Sequence, residues 1–455
     1  MSGAAAAAPD PRSQIRTRQY RVLLVFAALV GVLVSVVSWG FLELVYYIQH
    51  GIYKDLPGDL GFSTVPWWWP LPWLALAGLL TALAITRLPG GGGHVPSDGL
   101  KMGGGPARAI ELPGILLAAL ATLGLGLVLG PEAPLIALGT ALGALAMRLA
   151  RRDAPDQALA LMAAAGAFAA VSSLFGSPVV GAVIIIEATG LGGATLPVIL
   201  LPGLLAAGIG SLVFTGMGSL TGLSTNAFAL SPLALPAFSK PAWGDVLWTI
   251  ALAVAAAGVT FVIVELARWA KRLVAVRPVL LTVVAALAVG GLAIAFNQAT
   301  GRPVDSVLFS GQDAFGELFK TAPGLSLSTL ALLLLFKGLA WSLSLGNFRG
   351  GPTFPALFLG AVGGLLAGHL PGLSETPAVA VVMAAACVSM LKLPLSCAFI
   401  TLDLTSRAGL GVSPLVVVAV VVGYLATEAL AALRPARAAT PPAKTSVAQV
   451  SHSTS

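Results

Sequence analysis

The stretch VLGPEAPLIALG, residues 128–139, places a glutamate between two prolines in strongly apolar surroundings. A second stretch, GGPTFPALFLG at residues 350–360, repeats its skeleton without the acid. Both follow the pattern G-P-x-x-P-x-x-x-L-G-x-x-x-G, counted from Gly130 and from Gly351. Gly-Pro ahead of an apolar run is typical of a helix start, because proline in the first turn loses no intrahelical hydrogen bond. Each stretch therefore predicts the beginning of a buried helix.

A second pair of matching segments follows in the same order. SPVVGAVIIIEAT at residues 177–189 and LPLSCAFITLDLT at residues 393–405 each carry an acid, Glu187 or Asp403, nine residues after a proline. Two matches at nearly equal separation indicate an internal duplication. We expect a basic N-terminal tail (1–20), a first membrane repeat (21–215), a turn-rich connector (216–241), a second membrane repeat (242–433) and a short disordered C-terminal tail without a regulatory domain (434–455).

The composition predicts an all-α polytopic membrane protein. The 455 residues are 57% hydrophobic and only 9% charged, whereas soluble domains carry about 25% charged residues. Many apolar runs approach the length of about 20 residues that a membrane-spanning helix needs. Two runs, 179–186 and 395–400, are too short to span. They either line a buried site, as interrupted segments do in transporters, or pack as re-entrant segments.

The net charge of +7 reflects membrane topology. Basic residues flank the apolar runs, with Arg12, Arg16, Arg18 and Arg21 before the first and Arg434 and Arg437 after the last. This pattern favours a multi-pass protein of the cell membrane with both termini in the cytoplasm, and it argues against nucleic acid as a partner. The four histidines are scattered and the two cysteines lack metal-ligand spacing. We therefore expect no metal, no cofactor and no enzymatic activity.

The predicted helix starts have the chemistry of an anion site. The first turn of a helix leaves N–H groups unpaired and carries the positive end of the helix dipole. Several buried ends that converge can bind an anion without a full positive charge. A buried arginine or lysine would hold the anion too tightly for conduction. The glycine-rich stretch LPGGGGHVPSDGLKMGGG, residues 88–105, either adds backbone amides to this site or is a flexible connector.

Glu132 is the residue on which this interpretation depends. A carboxylate at a helix start can occupy the place of a permeating anion and leave when it is protonated or displaced, which would make it a gate. The alternative is a charge that only complements the helix dipole. Glu187 and Asp403 end short apolar segments, and we favour a position at the aqueous boundary for both.

This set of motifs resembles the CLC family of chloride channels and chloride/proton exchangers over residues 21–433. The three family signatures fall on Gly92-Gly93-His94-Val95-Pro96, on Gly130-Pro131-Glu132-Ala133-Pro134 and on Gly351-Pro352-Thr353-Phe354-Pro355.

The resemblance implies a homodimer in the lipid bilayer. Each subunit would be an inverted repeat of two halves with many tilted and re-entrant helices and its own pathway for chloride. Glu132 would be the gate. The anion-binding residues would be Gly92, Gly93, His94, Val95, Gly130, Pro131, Ala133, Gly351, Thr353 and Phe354.

The departures from the family pattern bear on mechanism. Gly93 stands where the family has an anion-coordinating serine, and Pro352 removes an N–H. No tyrosine follows the last membrane segment. The position of the exchangers' intracellular glutamate falls on Ala188, although Glu187 next to it could serve a proton pathway. We therefore expect a CLC-type chloride channel without obligatory proton exchange. A chloride/proton antiporter, a fluoride-selective exchanger and, as another class, a secondary transporter of a different solute are the alternatives.

Overall fold

The computed structural model describes residues 11–98, 107–224 and 228–434, and these ranges are built from helices and turns. The α-helices are α1 (Arg18–His50), α2 (Leu56–Asp59), α3 (Pro70–Arg87), α4 (Leu112–Gly124), α5 (Glu132–Ala150), α6 (Asp156–Phe175), α7 (Pro178–Thr189), α8 (Leu196–Thr221), α9 (Trp243–Val274), α10 (Pro278–Thr300), α11 (Ala314–Thr321), α12 (Leu327–Asn347), α13 (Thr353–Ala367), α14 (Glu375–Leu391), α15 (Pro394–Leu404) and α16 (Ser413–Ala432).

The lengths of these helices confirm the prediction of a polytopic all-α membrane protein. Within the described ranges, nine helical segments are long and apolar enough to cross a membrane. The two runs that the sequence marks as too short form α7, with 12 residues, and α15, with 11 residues. Large apolar side chains on the outer faces, such as Leu247 and Leu212, are more than two-thirds exposed, as expected of surfaces that meet lipid.

The packing of the second half repeats that of the first. Helix α5 packs on α6, and α13 packs on α14. Helix α1 contacts α6 and α8, while α9 contacts α14 and α16 in the same relation. The two copies of the second duplicated segment, α7 and α15, pack against each other. The architecture is therefore two similarly built helical halves, with the duplicated segments at their contact.

The trailing glycines of the duplicated pattern fix the position of α5 and α13. Gly139 and Gly143 lie against the backbone of α6, where an added Cβ would overlap the carbonyl oxygens of Gly166 and Met162. Gly360 and Gly364 lie in the same way against the backbone of α14. Small residues four apart let two membrane helices approach closely. Each helix start is thereby held by the packing of its own helix.

The predicted end of the first membrane repeat, at residue 215, falls inside helix α8. Helix α8 continues to Thr221 and α9 begins at Trp243, so the division into 21–215, 216–241 and 242–433 stays a prediction. The segment 11–20, which we expected in a tail, is helical. A 3-10 helix covers Pro11–Arg16, and the hydroxyl of buried Tyr20 donates to the carbonyl of Val198 at 2.9 Å. The tail residues 1–10 and 435–455 lie outside the described residues.

Candidate functional site

The two duplicated helix starts meet directly. The Gly130 amide donates to the Gly351 carbonyl at 2.7 Å, and the Gly351 amide donates to the Gly130 carbonyl at 2.5 Å. Pro131 and Pro352 are the residues immediately before α5 and α13, one position ahead of the first turn. The prediction that both stretches begin buried helices is confirmed, and the glycine pair brings the two N-termini together.

Glu132 extends from the start of α5 to the start of α13. Its Oε1 accepts a hydrogen bond from the backbone N–H of Phe354 at 3.0 Å. The side chain is 2% exposed, and Oε2 has no hydrogen-bond partner among the described residues. The carboxyl group therefore lies where the positive ends of two helix dipoles converge.

The glycines beside this carboxyl group leave no room for a side chain. A Cβ added to Gly351 or Gly130 would overlap the carboxyl group of Glu132. The ring of Phe354 closes the other side and stacks on Phe175, with centroids 5.7 Å apart. Thr353, the first residue of α13, is also buried. Five of the predicted site residues (Gly130, Glu132, Gly351, Thr353 and Phe354) thus form one buried cluster.

Two cavities lie on the two sides of this cluster. One has a volume of about 410 Å³ and includes Leu129 and Pro131 in its wall, and we call it the Pro131 cavity. The other has a volume of about 430 Å³ and includes Ala133, Pro134 and Gly350, and we call it the Ala133 cavity. Glu132 itself is buried and lies in neither wall. The residues before and after it in the sequence, Pro131 and Ala133, line different cavities.

The Pro131 cavity contains most of the ionisable groups near the site. Its wall includes His50, Lys54, Asp305, Asp313 and Glu317, and the ammonium of Lys54 lies 3.1 Å from Nε2 of His50. Both aspartates keep solvent-exposed surface in this wall. Desolvation by the surrounding protein raises the pKa of Asp305, and it raises the pKa of Asp313 to about 6 although nearby Lys54 opposes the shift. Both carboxyl groups therefore titrate closer to neutral pH than a fully hydrated aspartate does.

The loop that forms this wall is held by a buried lysine. The ammonium nitrogen of Lys337 on α12 lies 2.8–3.2 Å from the carbonyl oxygens of four successive residues, Ser306 to Phe309, which share its three N–H donors. It also lies 4.7 Å from the ring centroid of Phe358, one turn beyond Phe354 on α13. Lys337 is completely buried. Its hydrogen bonds hold the loop, to which the sequence assigned no role.

The glycine-rich stretch reaches the Ala133 cavity. Gly92, Gly93 and His94 line its wall together with Ala133. Gly90 to Gly93 all have positive φ, from 56° to 94°, a conformation that favours glycine. Among the described residues, Val95 is not part of this wall. The part of the stretch at residues 99–105 lies outside the described residues.

A buried arginine in the same wall was missed from the sequence. Arg349 is 8% exposed and directly precedes the Gly350-Gly351 pair. Its Nε and Nη2 donate to the Gly91 carbonyl at 3.3 and 3.2 Å, and its Nη1 donates to the Phe348 carbonyl at 3.2 Å. A full positive charge thus lies in the wall of the Ala133 cavity, and the expectation of an anion site without one stays a prediction. The sequence signal that could have identified Arg349 is its position as a charged residue between an apolar helix and a duplicated motif.

Glu187 caps the helix start of the second duplicated pair. Its carboxylate accepts hydrogen bonds from the Leu395 amide at 2.9 Å, the Ser396 amide at 2.7 Å and the Ser396 hydroxyl at 2.6 Å. In both pairs, an acid of the first half thus binds the N-terminus of a helix of the second half. A part for Glu187 in a proton pathway stays a prediction.

Comparison with known proteins gives concordant matches. The family described as "Voltage gated chloride channel" matches residues 89–428. Proteins named "Putative ion-transport protein YfeO" in Escherichia coli (strain K12 / DH10B) and in Shigella boydii serotype 18 are 29% identical over 370 residues. The matched region covers 78% of this chain and 81% of each relative.

Two solved structures share the fold. A slow cyanobacterial Cl⁻/H⁺ antiporter superposes with a TM-score of 0.72 at 19% identity, covering 90% of this chain and 94% of the other. A CLC-type fluoride/proton antiporter gives a TM-score of 0.68 at 17% identity, covering 90% and 96%. The predicted CLC-type fold is confirmed by these superpositions.

Proposed function

Because this chain belongs to the voltage-gated chloride channel (CLC) family, we propose that it conducts chloride across the cell membrane, with Glu132 as the gate and without obligatory proton exchange. The observation that carries the proposal is the position of the Glu132 carboxyl group. It accepts a hydrogen bond from the first turn of α13, and the residues on either side of it in the sequence, Pro131 and Ala133, line two different cavities.

The proposed gating step is an exchange of one anion for another. While Glu132 is ionised and in place, its carboxylate accepts the hydrogen bond from the N–H of Phe354 and lies at the positive ends of the dipoles of α5 and α13. When the side chain is protonated or displaced, these groups are released to a chloride ion. The N–H group and the helix dipoles that stabilised the carboxylate then stabilise the permeating ion.

A channel without obligatory proton exchange is supported by two residues near the end of α7, Glu187 and Ala188. The carboxylate of Glu187 is engaged by three donors at the start of α15. The next residue, Ala188, cannot carry a proton. A chloride/proton antiporter is the second candidate, because Glu132 is itself an acid positioned to pass a proton between the two cavities. A homodimer with both termini in the cytoplasm completes the proposal.

The deciding experiment is flux through purified protein in liposomes with a chloride gradient. We expect a reversal potential close to the equilibrium potential of chloride, and the same value when a proton gradient is imposed. A reversal potential that moves with the proton gradient would overturn the channel mechanism in favour of the antiporter. Parallel measurements with nitrate, bromide and fluoride would test the preference for chloride.

A further inference from the structure

The connection from α2 into α3 exposes large apolar side chains. Residues 60–73, with the sequence LGFSTVPWWWPLPW, include no acidic residue, lysine, arginine or histidine. Trp67 is 52% exposed, and Leu60, Phe62 and Trp68 are also exposed. Exposed apolar patches of this kind mark surfaces that bind another protein or a membrane. We call residues 60–73 the aromatic segment.

One buried indole holds the aromatic segment against the rest of the protein. Trp69 is buried, and its indole packs against three other rings with centroids 5.7–6.1 Å away, those of Trp68, Trp73 and Phe62. Its Nε1 donates to the Ile52 carbonyl at 2.9 Å. Ile52 belongs to the π-helical turn Gly51–Asp55 that follows α1, and Tyr53 of the same turn lines the Pro131 cavity. The segment is therefore a fixed surface that is connected to the wall of that cavity.

The length of α3 gives the level of this surface in the membrane. Helix α3 has 18 residues, so it is about 27 Å long, close to the thickness of about 30 Å of the hydrocarbon core. It begins directly after Trp69 and ends at exposed Arg87. Between these ends, Leu76, Leu79 and Leu83 are exposed along one face. The aromatic segment thus continues a lipid-facing surface and lies one core thickness from a charged residue.

We propose that the aromatic segment binds the membrane at the boundary between the lipid headgroups and the acyl chains. Tryptophan favours this boundary, because its ring is apolar and its N–H can donate to lipid oxygens. The exposed rings of Trp67, Trp68 and Phe62 would lie against the acyl chains, with no charged side chain of the segment to oppose burial. Through the hydrogen bond from Trp69 to Ile52, this contact anchors the turn that carries Tyr53. The inference does not depend on which ion the protein conducts.

The test measures the depth of a nitroxide label in protein reconstituted into phosphatidylcholine liposomes. The label is attached to T64C, an exposed position within the aromatic segment, and its depth follows from its accessibility to oxygen, which enters hydrocarbon, and to a nickel chelate, which stays in water. Matched controls are L79C on the exposed face of α3 and D153C in the exposed turn after α5. Wild-type protein is the blank, because Cys387 and Cys397 are buried. We expect the T64C label about 5–10 Å below the lipid phosphates, between the labels of L79C and D153C.

The outcomes distinguish lipid from water and from protein as the neighbour of the segment. A T64C label as accessible to the nickel chelate as that of D153C would place the segment in water and overturn the inference. A label shielded from both reagents would show that protein covers the segment, which also overturns it.

The contribution of the rings is tested by adding W67S/W68S to T64C. The label should then move towards the accessibility of D153C, whereas W269S, which removes a similarly exposed indole from α9, should leave its depth unchanged. An unchanged depth in folded W67S/W68S would contradict anchoring by these rings. Should that variant fail to fold, the depth of the T64C label alone decides. No flux is measured, so this result is independent of whether the protein conducts chloride.

Discussion

Replacement of Glu132 by glutamine removes the charge of the gate and preserves its shape. The carboxylate accepts the Phe354 N–H at 3.0 Å. A hydrogen bond to a charged group contributes about 1.5–3 kcal/mol, against about 0.5–1.5 kcal/mol for a neutral pair. The helix dipoles at the starts of α5 and α13 stabilise the charged carboxylate by about 0.3–1 kcal/mol more, and a neutral amide does not receive this stabilisation. E132Q should therefore weaken the closed position by about 1.5–2 kcal/mol.

This loss of free energy predicts the size of the change in flux. A difference of about 1.4 kcal/mol is tenfold in an equilibrium constant, so the open fraction should rise by about tenfold or more while it remains small. Chloride efflux from liposomes is measured at about pH 7.5 and about pH 4, on either side of the ordinary glutamate pKa of about 4.3. Wild-type efflux should increase on acidification, because protonation removes the same charge. E132Q should be fast at both pH values.

The control is E265Q, which makes the same substitution at a surface position. Glu265 is 39% exposed and forms ion pairs with Arg268 and Arg434, and such pairs contribute about 0–1 kcal/mol. Its efflux should match wild type. The proposed gate is refuted if folded E132Q keeps both the wild-type rate and the wild-type pH dependence, since Glu132 would then only complement the helix dipole.

Three further changes test the surroundings of the gate. G351A places a Cβ on the Glu132 carboxyl group and should raise efflux at neutral pH while lowering stability by about 1–3 kcal/mol; G258A, with no atom within 4 Å of the added Cβ, should leave efflux unchanged. K337M leaves four carbonyls without their donor and should lower the unfolding temperature by several degrees, from a loss of about 3 kcal/mol, whereas exposed K320M should not; equal melting curves would contradict this. D313N removes a negative charge from the Pro131 cavity. It should raise chloride efflux about twofold at about pH 7.5 and match wild type at about pH 5, because the wild-type group, with a pKa of about 6, is then protonated; an equal increase at both pH values would contradict the electrostatic explanation.

The local patterns of the sequence were sufficient to predict the helices and the position of Glu132 at the start of α5. Apolar runs predicted the membrane helices because burial in lipid depends on composition over about 20 residues. The Gly-Pro pairs predicted the starts of α5 and α13 because proline restricts the backbone locally. The structure then places these two starts at the contact of the two halves, where Gly130 and Gly351 pair.

The contacts of the charged side chains could not be predicted in the same way. The sequence suggested that Glu187 faces the aqueous boundary or carries protons, and the structure places its carboxylate on the start of α15. The sequence also did not show that the side chain of Arg349 lies in the wall of the Ala133 cavity and donates to the Gly91 carbonyl. A long side chain can reach in many directions from one backbone position, so its partner depends on which distant segment packs there.

The sequence by itself thus determined the membrane class, the two repeated helix starts and the acid at the first of them, because these depend on residues close together in the chain. Only the tertiary structure decided that Glu132 binds the N–H of Phe354, 222 residues away, and that Arg349 holds the carbonyl of Gly91, 258 residues away. Contacts over such separations form when α5 and α13 pack against α6 and α14 and bring their ends together. Glu132 is therefore encoded in one short motif, but its partners are selected by the packing of the two halves.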